Sequence, residues 1–405
     1  MDLSALPLEL TWMILDQVKS LPHRKNGSLV CKAWNRMLLT SRKSLETVNL
    51  RICSRNRGPE EDEKLFNELC EIMVSSNRNY VNIEFFYVNF EIPVVRDFLH
   101  FIVTVCSESI KSLKFICCYG LYRSDLLVVL RTAGNLEDLH LQSRVGYDDI
   151  EIEEFKLPKL RKLTLHMEET NTFYQGICLS AMQLRELDIK TRDGCQSVRQ
   201  AVALIQRFCT QLTKLSLDSE GSLTNEECDE MEFPKLTTMS LKISGPINQS
   251  IFRRLRRLKN LKIDGIVTDE VICAISKILS LESLSIRCKS LMESHKFVQM
   301  TFLKNLHTLH LRGISKFSWN NVVLPKLTNL HVNSTGEGFL EFLKRSNLTS
   351  LEIHDSAMTN KQLKRMCRHL SQVQRLELAF CGHISDSGLK YLNQLGKLTE
   401  LWHSR

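Results

Sequence analysis

The sequence predicts an α/β solenoid, a horseshoe with parallel strands inside and helices outside, preceded by a small all-α segment. Three observations predict it. An apolar phrase, L-x-x-L-x-L with other apolar residues allowed, recurs fifteen times along the 405 residues. The stretches between copies repeat apolar residues at helical spacing. Residues 1 to 42 lack the phrase and read as three short helices.

In residues 6 to 38, Pro7 suits the first turn of a helix, and Leu10, Ile14 and Val18 fall four apart along one face. Glu9 stands near the positive end of that helix. "HRKNG" breaks the pattern, after which Val30, Trp34 and Leu38 form a second stripe. A segment this small cannot bury enough surface to stand alone, so its apolar faces need the solenoid or another protein to complete them.

The repeats then begin with "LETVNL" at 45 and "YVNIEF" at 80, and run through "LEDLHL" at 136, "LTKLSL" at 212 and "LHTLHL" at 306 to "LTELW" at 398. After the first two copies the spacing stays between 21 and 30 residues, which is the signature of leucine-rich repeats. "LPKLRKL", "FPKLTTM" and "LPKLTNL" place a proline where a loop must deliver the chain into a strand. Segments 197 to 209, 269 to 279 and 360 to 370 have one apolar helical face each. Strands sit ~4.8 Å apart and helices ~10 Å, so stacked units must curve with the strands inside. Fifteen strands would give an inner arc of roughly 70 Å. "LELAFCGHISDSGLKYL" resembles the cysteine-containing variety of the repeat, which implies Cys381 in a buried slot and Ser385-Asp386 at a helix start. No polar C-terminal capping unit is evident, which leaves the last edge for solvent or a partner.

Composition excludes several classes. Apolar residues make up 43%, enough for a large interior, and the most apolar stretch, "VVRDFLHFIVTVC", is interrupted by Arg96, Asp97 and His100. It is far short of the ~20 residues that span a bilayer, so no membrane association is expected. The opening "MDLSALPLEL" has no leader pattern, which points to a cytoplasmic or nuclear protein with reduced thiols, and the four N-glycosylation sequons then carry no meaning. Residues 1 to 58 hold +6 of the net +8, leaving a near-neutral repeat region with few open aromatics beyond Phe86 and Trp402; no nucleic-acid partner is expected. "FRRLRRLKNLK", 252 to 262, has core spacing at Phe252, Leu255 and Leu258, with its arginines expected as solvated charges on an outer helix. "GEGFLE" at 336 lacks the third glycine of a dinucleotide loop. No catalytic motif, C-x-x-C pair or cofactor signature is present, so no enzyme chemistry and no cofactor are expected.

Leu6-Pro7, Glu9-Leu10, Ile14-Leu15, Leu29-Val30-Cys31-Lys32 and Trp34 resemble an F-box over about residues 4 to 42. An F-box followed by leucine-rich repeats, here 43 to 405, resembles the substrate receptors of SCF-type cullin-RING ubiquitin ligases. One departure is His23, where many members carry an acidic residue. The resemblance implies that Leu6, Pro7, Leu8, Leu10, Ile14, Leu15, Val30, Cys31 and Trp34 contact a Skp-type adaptor, and through it the cullin-RING scaffold. It also implies a non-catalytic receptor whose inner face binds a protein substrate. The alternatives are an N-terminal cap glued to the first repeat, and a stand-alone interaction scaffold or inhibitor unconnected with ubiquitin.

Within each phrase the leucines point inward, so positions 5 and 7 of the repeat face the inner side. That places Lys262, Arg287, His310, Arg312, His331, His354 and Trp402 on the candidate substrate face. His310, His331, Arg287 and Arg312 would form a basic and imidazole patch able to grip a carboxylate or phosphate; the alternative is a solvated wall of mixed charge. His307 and His310, three apart on a strand, face opposite ways and cannot chelate one ion, so no metal site is expected there.

Overall fold

The computed structural model describes residues 48–54, 58–75, 80–146, 148, 155–167, 176–177, 180–191, 194–294, 297–355 and 357–404. The expected helical segment 1 to 42, with its adaptor-contact residues Leu6 to Trp34, lies outside the described residues. The chain divides into two compact units, Met1–His166 with Asn171–Gln183, and Met167–Thr170 with Leu184–Arg405.

The first unit contains strands β1 (Val48–Cys53), β2 (Tyr80–Phe86), β3 (Ser112–Ile116), β4 (Leu121–Tyr122), β5 (Asp138–Gln142), β6 (Val145–Gly146) and β7 (Lys162–Met167). β1, β2, β3, β5 and β7 pair in that order, all parallel, and β4 pairs with β6 alone. Parallel neighbours require crossovers, which the helices Pro59–Ser75, Pro93–Val105 and Arg123–Thr132 supply. Pro93 sits in the first turn of its helix, where a missing N–H costs nothing. Ile83 and Phe85 on β2, Leu113 and Phe115 on β3 and Leu139 and Leu141 on β5 are buried. Phe85 and Phe115 stack at 5.3 Å, and Phe66 meets Phe98 edge-on at 5.2 Å.

The second unit holds β8 (Glu186–Thr191), β9 (Lys214–Ser219), β10 (Thr238–Pro246), β11 (Asn260–Ile266), β12 (Ser283–Ser294), β13 (Thr308–Phe317), β14 (Asn329–Val332), β15 (Ser350–Ile353), β16 (Arg375–Ala379) and β17 (Glu400–Ser404), parallel and paired in chain order. Register follows the repeat phrase: Leu261, Leu284, Leu309, Leu330, Leu351 and Leu376 stand opposite one another on successive strands, all buried. A buried leucine contributes about 1.5–3 kcal/mol, so this one column ties the strands in register. Each unit is a leucine-rich-repeat solenoid. Among the described residues no helix is long and apolar enough to cross a membrane.

The return segments vary with the number of residues left between consecutive strands. Long gaps form helices, as at Gly194–Phe208 and Asn360–Cys367, the latter opened by a Thr359 and Gln362 capping box. Short ones form only 3-10 turns, at Gln249–Phe252 and Phe297–Phe302. The arginines of "FRRLRRL" therefore lie on a turn between Phe252 and Asn260 and not on the expected outer helix. Too few residues separate β10 from β11 for a helix of several turns. Arg253 pairs with Asp229 at 3.2 Å, and Arg254 pairs with Glu232.

Cys381 is fully buried, its thiol directed at the carbonyls of Ala379 (3.4 Å) and Ile353 (3.9 Å), and the helix Asp386–Leu389 follows Ser385. The same device stands in the first unit, where Cys118 reaches the carbonyls of Phe85 (3.5 Å) and Ile116 (3.6 Å). In both cases the residue just before, Phe380 or Cys117, takes a left-handed backbone, φ 57 and 53.

Candidate functional site

Position 5 of the repeat forms one continuous row across the second unit. Lys262 pairs in register with Ser285, Ser285 with His310, His310 with His331, His331 with Glu352, Glu352 with Glu377, and Glu377 with Trp402. Arg312 and His354 are two residues beyond His310 and Glu352, so they share that face of the sheet. Arg287 stands opposite Arg312 in register.

The middle of the row is a bonded cluster. His331 is 2% exposed. Its Nε2 accepts a hydrogen bond from Arg312 Nε at 2.9 Å, so the ring hydrogen is on Nδ1, which faces Glu352 Oε2 at 2.5 Å. The other carboxylate oxygen, Oε1, lies 2.7 Å from His354 Nε2 and 3.7 Å from an Arg312 terminal nitrogen. His354 Nε2 approaches the oxygen too obliquely for a hydrogen bond and is buried without a hydrogen-bond partner. Glu377 is 3.9 Å from the same nitrogen. The three imidazoles pack in a column, His310 on His331 at 5.4 Å and His331 on His354 at 4.6 Å, and Phe380 closes the end edge-on to His354 at 5.7 Å.

Electrostatics follow from this geometry. Burial, with Arg312 nearby, holds His310 and His331 below the ordinary histidine value, even though Glu352 pulls the other way. Burial would raise the Glu352 carboxyl, but His331 and His354 beside it outweigh that and leave it below the usual range. Burial thus favours neutral rings at His310 and His331 beside the Arg312 and Glu352 pair.

The structure therefore brings together His310, Arg312, His331 and His354, and it separates the rest. Lys262 is two strands from His310, Trp402 is 66% exposed on β17, and Arg287 turns to Asp264 at 3.7 Å. The expected basic patch is a row of mixed charge, because Glu352 occupies position 5 of β15 and Asp264 position 7 of β11. Each arginine already faces a carboxylate of this chain. Sequence reasoning left Glu352 out of the site. The signal was present: aligned phrases put Glu352 beside His331, and period-two alternation puts it on the face of His354.

One nitrogen from His331, one carboxylate oxygen of Glu352 and one nitrogen from His354 lie within 4.8 Å of one another, so these residues have the donors and the proximity to hold a metal ion.

No family model matches the chain, and no curated protein matches it. Solved structures do. An internalin of Listeria monocytogenes is 13% identical, with 96% of this chain and 97% of that chain covered at a TM-score of 0.39. A chain from the TLR13–ssRNA13 complex is 14% identical over 88% of this chain at a TM-score of 0.45. The present chain spans 54% of that TLR13 chain, about half its length.

Proposed function

We propose that this chain is the substrate-recognition subunit of an SCF-type E3 ubiquitin ligase, with residues 1 to 42 binding a Skp-type adaptor and the open face of the repeats binding a protein substrate. The observation that carries the reading is the S-L-V-C-K-x-W phrase at residues 28 to 34, preceded by Leu6-Pro7-Leu8-Glu9-Leu10 and followed by a leucine-rich-repeat solenoid. The repeat fold is a protein-interaction scaffold: its leucines are consumed by the core, while positions 5 and 7 are left to vary in charge and shape. In this reading the chain makes no bond itself. Holding a target lysine near a ubiquitin-loaded enzyme raises its effective concentration, which is a proximity effect.

The test is affinity purification of the intact chain beside a Pro7→Ala/Trp34→Ala variant, with the proteasome blocked. Proteins lost with the variant are expected to be the adaptor and cullin, and those retained to be the substrate. A chain that captures no adaptor, or captures it equally with residues 1 to 42 deleted, is a stand-alone interaction scaffold.

A further inference from the structure

We propose that His331, Glu352 and His354 form a binding site for a single divalent d-block ion, zinc being the natural occupant. The site lies within the second unit and stands whether or not the chain binds an adaptor.

Two imidazoles and one carboxylate are the donor types that select zinc and its neighbours over calcium and magnesium, which require oxygen cages. The three donors are set by backbone that cannot easily yield. His331 and Glu352 are opposite one another in a parallel ladder, and His354 follows two residues later on the same face. Around a tetrahedral ion with bonds of about 2.0–2.1 Å, donors stand about 3.3 Å apart. The separations of 2.5 Å and 2.7 Å, to the two oxygens of one carboxylate, are shorter than that, so an ion enters once the groups part by up to about 1 Å and takes the place of the His331 proton. Side-chain rotation alone supplies that movement. The buried Nε2 of His354 is the clearest sign: it faces a carboxylate oxygen yet forms no hydrogen bond, so an ion would satisfy it. Asn333, at the row position between Arg312 and His354, likewise buries an Oδ1 with no hydrogen-bond partner. Glu377, or water, completes the coordination from the open side.

The proton balance ties the site to Arg312. When His331 Nδ1 gives its lone pair to the ion, the ring hydrogen moves through solvent to Nε2 and the ring stays neutral. Nε2 then no longer accepts from Arg312, whose guanidinium must turn away. An ion in the site therefore releases Arg312 toward the open face, where it can meet an anionic group of a docked protein. The converse also holds: the guanidinium charge opposes the ion.

The experiment uses the full chain, stripped with a chelator and titrated with Co2+ alone and Zn2+ alone, with bound ion counted by equilibrium dialysis. The parent is expected to take up one ion more per chain than a Glu352→Gln/His354→Gln variant. Its Co2+ form should show ligand-field bands that the variant lacks, without the thiolate charge-transfer bands of a cysteine site. Arg312→Gln should bind several-fold more tightly. His354→Gln alone, at a partly exposed side chain, guards against a folding defect, since unchanged circular dichroism with the ion lost supports the assignment. An equal ion count in parent and both ligand variants, or no ion in the parent, overturns it. Weaker binding by Arg312→Gln overturns the part given to Arg312.

Discussion

Replacing Glu352 with alanine in chelator-treated protein tests the central hydrogen bond of the row. His331 is almost wholly buried, and its Nδ1–H has Glu352 Oε2 as acceptor at 2.5 Å, while Nε2 is occupied by Arg312. Alanine removes the acceptor and leaves a buried donor unsatisfied, which costs about 1–3 kcal/mol. The Glu352 side chain is 28% exposed, so water partly fills the vacated space and the expectation falls to about 1–2 kcal/mol. Glu352→Gln keeps an acceptor oxygen of the same reach and should cost less than about 1 kcal/mol. A solenoid loses stability repeat by repeat, so the loss belongs to neighbouring strands and is best read by native-state hydrogen exchange at the amides of β14 and β15. A change of 1.4 kcal/mol is tenfold, and the alanine variant should therefore speed exchange there by about 5- to 30-fold. Equal exchange in the alanine and glutamine variants, or faster exchange confined to strands remote from β14, would refute the reasoning.

Three further outcomes are expected. Acidification should lower the melting temperature of the chelated protein. His310 and His331 have depressed values, so their contribution is complete above the ordinary histidine pKa of about 6.5 and declines as pH falls below it, because the unfolded chain takes up protons first. Glu352, also depressed, adds a second loss when pH falls through its own lower value. His331→Gln should flatten the first decline, and a melting temperature that rises on acidification contradicts the assignment. Burial pushes the Cys228 thiol up to about 12 and those of Cys118 and Cys367 up to about 11, while Cys53 is exposed. Alkylation of the native protein, mapped by peptide mass, should mark Cys53 and spare those three; equal labelling of Cys228 would count against its burial. Gly313→Ala puts a Cβ 2.0 Å from the Cys288 carbonyl oxygen at φ 75, so it should cost at least about 1–2 kcal/mol, measured as a fall in thermal stability. An unchanged melting temperature would show that β13 is not held as described at Gly313.

The cost of Glu352→Ala and the phase below pH 6.5 both rest on contacts that no single repeat contains. Repeat count, strand positions and register were legible because the leucines of the phrase form the core, and a core column leaves its period in the sequence. Reading position 5 along that register was enough to place His310 beside His331. Return segments were less legible: whether a linker becomes a helix or a 3-10 turn depends on the residues left between two strands, so "FRRLRRL" was misread as a helix. That Cys118 repeats the carbonyl-facing slot of Cys381 was not legible, because "ICC" lacks the phrase around Cys381 that made that copy recognisable.

What the sequence by itself determined is the solenoid of parallel strands and the row on which charged and aromatic side chains sit, because apolar periodicity fixes both face and register. What only the tertiary structure decided is which groups on that row neutralise one another. Arg312, His331, Glu352 and His354 come from three repeats, and rotamers set which nitrogen meets which oxygen. Burial of His331 then fixes its tautomer and lowers its basicity. A patch that reads as basic when its arginines and histidines are picked out is balanced by the carboxylates packed beside them, because the strength of a charge depends on the partner and the solvent that folding leaves next to it.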